Sequence, residues 1–423
     1  MKRSFKRLAF GLFVVVALAL LAVACGDDEE SGAGGQTQFD GVIKIGLLGD
    51  LSGPGSGSPL ILSTLKGFEV GVADINADGG VKVGDKRYEI KIIKIDTKAN
   101  AVDTNAAAAQ LIGEGVLGVG VHNCITFPPA HAQLKATGKI MMWTNCPPGL
   151  NLLDKDVPTF EGVEKNPLLF AGIDFTLPIF TGWLKWAKQN DPAIKTVAFL
   201  GDDSPLGRGQ AAVLPAAAKA AGLEFLGPPI HFPAGTPDLA SYLTDAKSRK
   251  ADLVYMSSSG NLDGPTQAIK LNVAPRLMGP GLRPFDMTII GDIGTTKVYM
   301  MDFRLPYHAE VAPDKYQDEL LKLGTLDGGA PVQVGFAIAF YDFAFLLKQA
   351  IEKAQTTTDA ALVAKAMVGL KVDSFMGGEV IMDADHAARG PTGMIVTTKD
   401  KFTVYTFENA TADKPVDTFT VDR

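Results

Sequence analysis

Strand-length apolar runs and helix-spaced apolar positions alternate along most of this chain. Residues 42–48 read as a first strand. Ile61, Leu65, Phe68, Val72 and Ile75 then recur at steps of four, three, four and three, the period of one buried helix face, and Gly79-Gly80 ends that helix. A second strand over 88–95, a helix over 101–112, and apolar strands over 116–121 and 139–143 around a helix near 130–137 complete a first series. The pattern restarts near 168–175. It continues through a strand over 196–200, an alanine-rich helix to 221, a short run over 223–226, a helix over 239–247, and strands over 252–256 and 287–290. A long helix over 334–354, another over 360–368 and short strands over 379–382, 394–398 and 403–407 follow. Two successive βαβ series predict an α/β protein of two doubly wound lobes. Ending on strands after helices predicts that the chain crosses between the lobes more than once.

The first forty residues fall outside that alternation. Lys2, Arg3, Lys6 and Arg7 precede an unbroken apolar run over 8–24, which closes with Ala22-Val23-Ala24-Cys25. This reads as a lipoprotein signal peptide over 1–24, with Cys25 the lipidated residue. An uncleaved anchor is the other reading, at the short limit for spanning a bilayer. The acidic, Gly/Ser-rich stretch within 25–40 then reads as a flexible tether. The 423 residues are 46% hydrophobic and carry a formal charge of -7, enough for two ordinary domains, with no basic stripe for nucleic acid. Cys124 and Cys146 are the remaining cysteines, at the exits of two strands expected to lie side by side in an oxidising compartment. A Cys124–Cys146 disulfide is therefore expected.

Candidate chemistry points to binding, not turnover. Gly53, Gly55 and Gly57 follow a strand, but neither GK[ST] nor G-x-G-x-x-G is present, so this reads as a strand–helix turn. There is no G-x-S-x-G elbow, and the five histidines show no metal-ligand spacing, so neither enzyme activity nor a cofactor or metal is expected. Small polar groups gather at the strand exits instead. Ser52, Ser56, His122, Thr126, Thr144 and Asn145 belong to the first series, and Ser257, Ser258, Asn261 and Asp292 to the second. Polar tips converging from two lobes describe a cleft that closes on a small molecule.

Specific segments resemble the substrate-binding proteins of ABC transporters in the leucine/isoleucine/valine-binding group. They are Ile45-Gly46-Leu47-Leu48 through Leu51-Ser52-Gly53-Pro54, Asp74-Ile75-Asn76-Ala77-Asp78-Gly79-Gly80, Asp96, Tyr341-Asp342, and the run from Gly378 to Asp385 followed by Met394-Ile395-Val396. The resemblance spans nearly the whole mature chain. It implies the type I periplasmic-binding-protein fold with three crossovers, near Phe170, Phe303 and Arg389. Lobe 1 would be 41–170 plus 303–388, and lobe 2 would be 171–302 plus 389–423. It also implies a monomeric, lipid-anchored receptor outside the cytoplasm that hands a small solute to ABC permease subunits. In that family first-lobe residues hold an amino acid's carboxylate, here Ile125 or Thr126 and Asn145 to Pro148, and a second-lobe acid, at Asp292, takes the ammonium. Three positions depart from the pattern: Ile125 and Pro147 or Pro148 stand where hydroxyls are expected, and Leu206 stands where an aromatic covers the ligand. Each lost buried donor costs about 1–3 kcal/mol. Phe127, Trp143, Leu206 and Phe336 could line the pocket. Amino acids are thus the first expectation, with aromatic acids or amides close behind. A ligand-sensing role and an envelope interaction module of the same fold are the rival readings.

Overall fold

The computed structural model describes residues 38–53, 59–123, 126–145, 162–173, 177–233, 236–257, 263–279, 290–302, 322–326, 332, 334–375, 377–409, 412 and 414–423. The signal peptide, Cys25 and all of the tether before Gln38 lie outside them, as do Cys124 and Cys146. Among the described residues no helix is long and apolar enough to cross a membrane.

The first sheet is built from β1 (Gly41–Gly49), β2 (Val81–Val83), β3 (Lys86–Asp96), β4 (Gly118–Val121), β5 (Met141–Thr144) and β6 (Leu169–Ala171). Its order is β2-β3-β1-β4-β5-β6, with only β2 antiparallel to its neighbour. Helices α1 (Pro59–Ala77), α2 (Ala101–Glu114) and α3 (Phe127–Thr137) are the crossovers. All five helix-spaced residues of α1 are buried, so the period of the sequence is the period of the packing. The Asn100 side chain caps α2 by accepting the Asp103 N–H, and Gly115 ends it in the left-handed region at φ 68°. The glycines of β4 have a packing reason. A Cβ on Gly118 or Gly120 would come within 2.8 Å of the Trp143 indole on the neighbouring strand.

The second series adds α4 (Leu177–Asn190), β7 (Thr196–Asp202), α5 (Pro205–Ala220), β8 (Glu224–Phe225), β9 (Ile230–Phe232), α6 (Ala240–Ser248), β10 (Leu253–Ser257), α7 (Asp263–Lys270), β11 (Arg276–Gly279) and β12 (Lys297–Asp302). Beyond these come α8 (Val334–Ala354), α9 (Ala360–Met367), β13 (Lys371–Asp373), β14 (Glu379–Met382), β15 (Ala388–Arg389), β16 (Thr392–Thr397), β17 (Lys401–Phe407) and β18 (Asp417–Asp422). The second sheet runs β18-β17-β16-β12-β11-β10-β7-β8, with β9 also on β7. It is parallel from β8 to β12 and antiparallel from β12 to β18. Both faces of its central strands β7, β10 and β11 are covered, so these strands are buried almost throughout. Val197, Phe199, Tyr255 and Tyr299 face α4 and α5 in a core continuous with that of the first sheet. Ala198, Leu200, Val254 and Val298 point the other way, into a second cluster with α6 and α7. At the amino-terminal edge of this sheet, Asp191 accepts from Arg276 at 2.8 and 2.9 Å and from Lys297 at 3.1 Å. Hydrogen bonding to Arg276 leads in holding its carboxyl down at about 2.

After the second series the chain returns to the first sheet. Helix α8 lies against α1 so closely that a Cβ on Gly67 would fall 1.9 Å from the Ala337 carbonyl oxygen. Strands β13, β14 and β15 form a small antiparallel sheet, anchored where buried Asp342 of α8 accepts from the Ser374 hydroxyl at 2.8 Å and the Phe375 N–H at 2.9 Å. Ala171, at the carboxyl end of β6, bridges to Ala387, and Gly393 pairs with Asp302, at the carboxyl end of β12. The carboxyl ends of both sheets therefore adjoin one crossover region.

Of the predicted strand over 287–290, Met287–Ile289 lie outside the described residues and Ile290 is helical. The strand that continues the sheet is β12, which begins at Lys297.

Candidate functional site

Ligands of open parallel sheets sit at the carboxyl ends of the strands, so the strand exits are where a site is to be sought. In the first sheet these exits are tied together by two aspartates. Asp50, the first residue after β1, is buried and accepts from the Thr97 hydroxyl and the Asn123 side-chain amide. Asp96, the last residue of β3, accepts from the N–H groups of Leu51, Ser52 and Lys98 at 3.0, 3.2 and 2.9 Å and from the Ser52 hydroxyl at 2.5 Å. Burial pushes the Asp96 carboxyl up, but these hydrogen bonds outweigh it and the net shift is downward. Ser52 thus spends its hydroxyl on the loop itself.

His122 and Asn145 follow β4 and β5, whose register sets Val121 beside Thr144. The His122 ring is buried, meets Phe340 of α8 edge-on at 4.8 Å, and has no hydrogen-bond partner at either nitrogen. Burial holds its pKa down at about 3, so it is neutral at ordinary pH. The Asn145 amide donates to the Thr64 hydroxyl of α1 at 3.5 Å, while its Oδ1 has no partner. Thr144 is fully buried beside them. Thr126 turns inward, its hydroxyl donating to the Asn123 carbonyl at 3.1 Å. Phe336, nearly buried, lies one turn before Phe340 at the start of α8. Ser56 lies outside the described residues.

On the second sheet, Ser257 ends β10 in register with Gly201; its hydroxyl is buried without a partner. Asp202, the last residue of β7, accepts from the Ser204 N–H at 3.2 Å and from its hydroxyl, and Ser204 caps α5 through Gly207. A Cβ on Gly207 would stand 2.0 Å from the Asp202 carbonyl oxygen, so this tight turn admits only glycine. Ser258, Asn261 and the side chain of Leu206 lie outside the described residues.

Asp292 is not with them. It is exposed and precedes β12, so it stands at the amino-terminal edge of the second sheet. Register confirms the placement. Val298 pairs with Thr397, Thr397 with Phe402 and Phe402 with Val421, which brings the chain's last residue to the same edge. There the Arg423 guanidinium donates to the Gly291 carbonyl, and Asp292 itself accepts the Gly294 N–H at 2.9 Å. Asp292 was expected at a strand exit because Met287–Ile290 looked like a strand; with β12 as the true strand, its role as ammonium partner is withdrawn.

His122, Asn145 and Thr144 are therefore brought together at the first sheet, with Phe336 one turn before the Phe340 ring that meets His122 and Ser257 at the corresponding edge of the second. Sequence reasoning missed Asp50, Thr64 and Phe340. Asp50 sits in the first strand exit and Phe340 one turn after Phe336, so spacing offered a signal for those two; Thr64 offered none. Among the described residues no cluster of three or more His, Cys, Asp or Glu could hold a metal ion.

His122 bears on stability as well. In the unfolded chain its ring takes up a proton near the ordinary pKa of 6.5, but in the fold only near 3. Between those values the unfolded state holds the extra proton, so acidification across that window favours unfolding. Replacing His122 by Phe should flatten the fall in melting temperature between pH 6.5 and pH 4, measured by calorimetry. An unchanged pH slope would mean that His122 does not carry it.

Comparison with known proteins fits this architecture. A family model described as periplasmic binding protein matches residues 42–401. No curated protein matches the sequence. Among solved structures, the leucine-, isoleucine-, valine-, threonine- and alanine-binding protein from Brucella ovis, in its closed conformation, superposes with a TM-score of 0.68 at 16% identity, over 89% of this chain and 95% of that one. The branched-chain amino acid transporter substrate-binding protein of Streptococcus pneumoniae, in complex with isoleucine, gives 0.63 at 18% identity, over 90% and 100%. An ABC transporter solute-binding protein of R. palustris, in complex with 4-hydroxybenzoate, gives 0.64 at 20% identity, over 88% and 98%. At these identities the likeness speaks for the type I periplasmic-binding-protein fold, and the family model for membership. With two lobes joined through a shared crossover and polar groups at both carboxyl edges, this chain belongs to the periplasmic binding protein family.

Proposed function

We propose that the protein is the extracytoplasmic solute receptor of an ABC importer, tethered to the membrane through lipid on Cys25, and that it closes its two lobes on a small organic carboxylate. The ligand class is one without an α-ammonium group, an aromatic or compact aliphatic acid. One observation carries this: buried polar atoms at the strand exits of both sheets, on His122, Asn145 and Ser257, stand without partners, while the acid expected to hold an ammonium lies at the opposite edge. A neutral imidazole offers one donor and one acceptor, the Asn145 Oδ1 accepts, and a hydroxyl does either. His122 and Ser257 can donate to a carboxylate, while Asn145 Oδ1, which only accepts, suits a hydroxyl or N–H on the ligand's body, whose apolar part meets Phe336. Binding proteins of the same fold that carry 4-hydroxybenzoate or isoleucine show that the scaffold admits both classes.

The test is calorimetric titration of the mature protein with benzoate, 4-hydroxybenzoate and leucine. An acid should bind at least a hundredfold more tightly than leucine, because an ammonium buried without a counter-charge forfeits about 3 kcal/mol. Asn145→Ala should weaken 4-hydroxybenzoate, whose hydroxyl can donate to Oδ1, about tenfold. Leucine binding as tightly as the acids would overturn the ligand class. A sensing role would replace transport if the gene stood beside a histidine kinase and not beside permease and ATPase genes.

A further inference from the structure

A cavity of about 790 Å³ opens on the flank of the first sheet, away from the strand exits. Its apolar wall includes Ile140, which precedes β5, Met142 within it, Leu168 before β6, and Ala364 and Val368 at α9. Asn145 follows β5, so Ile140 is five residues away along an extended strand, roughly 16 Å. The cavity is thus a separate place from the carboxyl edges. Its far wall reaches the crossover, where His386 stacks on Phe170 at 4.3 Å and places Nδ1 3.0 Å from the Leu169 carbonyl oxygen.

The rim is charged unevenly. Lys135 on the last turn of α3, Lys165 and Lys365 on α9 are all exposed at its edge, against Glu164 as the one carboxylate among the described lining residues. We propose that this cavity is a second binding site, for an amphipathic monoanion: a carboxylate on a short unbranched apolar tail. The volume lies within the range of about 300–1,000 Å³ that small-molecule sites occupy. The aliphatic wall removes a tail from water, and the excess of lysines over Glu164 favours a negative headgroup at the mouth. An ammonium on the same tail would meet like charge there.

The full mature protein, titrated calorimetrically with sodium octanoate and with octylammonium chloride, tests this. Octanoate should bind saturably and at least tenfold more tightly than octylammonium. Ala361→Trp, an exposed position on the cavity lining, should fill the mouth and weaken octanoate at least tenfold. The double substitution Lys165→Glu/Lys365→Glu, on exposed side chains with little bearing on folding, should do the same. Saturating 4-hydroxybenzoate, which fills the strand exits, should leave octanoate binding at this cavity unchanged, which separates the two sites. Absence of saturable binding at millimolar octanoate would overturn the proposal. So would equal affinity for octylammonium, or displacement of octanoate by 4-hydroxybenzoate with no loss of binding in Ala361→Trp.

Discussion

Gly67→Ala should destabilise the protein by about 3 kcal/mol, although alanine is the better helix former. In an open helix the exchange gains about 0.5–1 kcal/mol. Here the new methyl would stand 1.9 Å from the carbonyl oxygen of Ala337, and the backbone cannot rotate out of its way. Helices α1 and α8 would have to part by more than 1 Å, opening the core that holds Phe68 and Phe343. A Cβ on Gly71, one turn on, would meet the Ala344 Cβ and the Tyr341 carbonyl oxygen at 3.1 Å, so it belongs to the same seam. Gly113 in α2 is the control: a Cβ there would meet nothing within 4 Å, so Gly113→Ala should be neutral or stabilising. Urea unfolding of both variants checks the pair, and equal midpoints would refute the close-approach argument.

Asp342→Ala should cost about 2–4 kcal/mol. The substitution takes the acceptor from the Ser374 hydroxyl and the Phe375 N–H together, and orphaned buried donors cost about 1–3 kcal/mol each. Asp342→Asn keeps one carbonyl oxygen and should recover roughly half. The loss should also show as faster amide exchange in β13 and β14, which these bonds attach to α8. If Asp342→Ala melted like the parent, the anchor would be worth nothing and the small sheet would be held by Val372 and Val380 alone.

The sequence made the first lobe nearly readable. Its helices announce themselves by spacing, from Ile61 to Ile75 in α1 and across α8, because each lays one apolar stripe on a buried sheet. The second lobe was harder for identifiable reasons. β11 is four residues long, and β12 mixes Lys297 and Asp302 with apolar residues, whereas the sequence Met287–Ile290 has a more strand-like composition than either. Helix α4 carries helical spacing at Ile179, Phe180, Trp183, Leu184 and Ala187, which the strand-like restart before it obscured. The alternating edge strand β18 lies beyond the last strand predicted from the sequence. At the site, His122, Thr144, Asn145 and Ser257 could be found because strand exits can be found. The ties of Asp50 could not, since Thr97 and Asn123 lie 47 and 73 residues away and only the sheet order 3-1-4 makes them neighbours. Asp292 failed with the strand it was hung on.

The glycines of β4 leave the molecule with an optical convenience. By clearing room for the Trp143 indole, they seat one of only three tryptophans at zero exposure between Phe68 and Phe343, two positions before Asn145. Its emission reports on the first lobe from the inside, while Trp183 and Trp186 belong to α4 on the second. Events at either half of the receptor can thus be followed by light without attaching a dye.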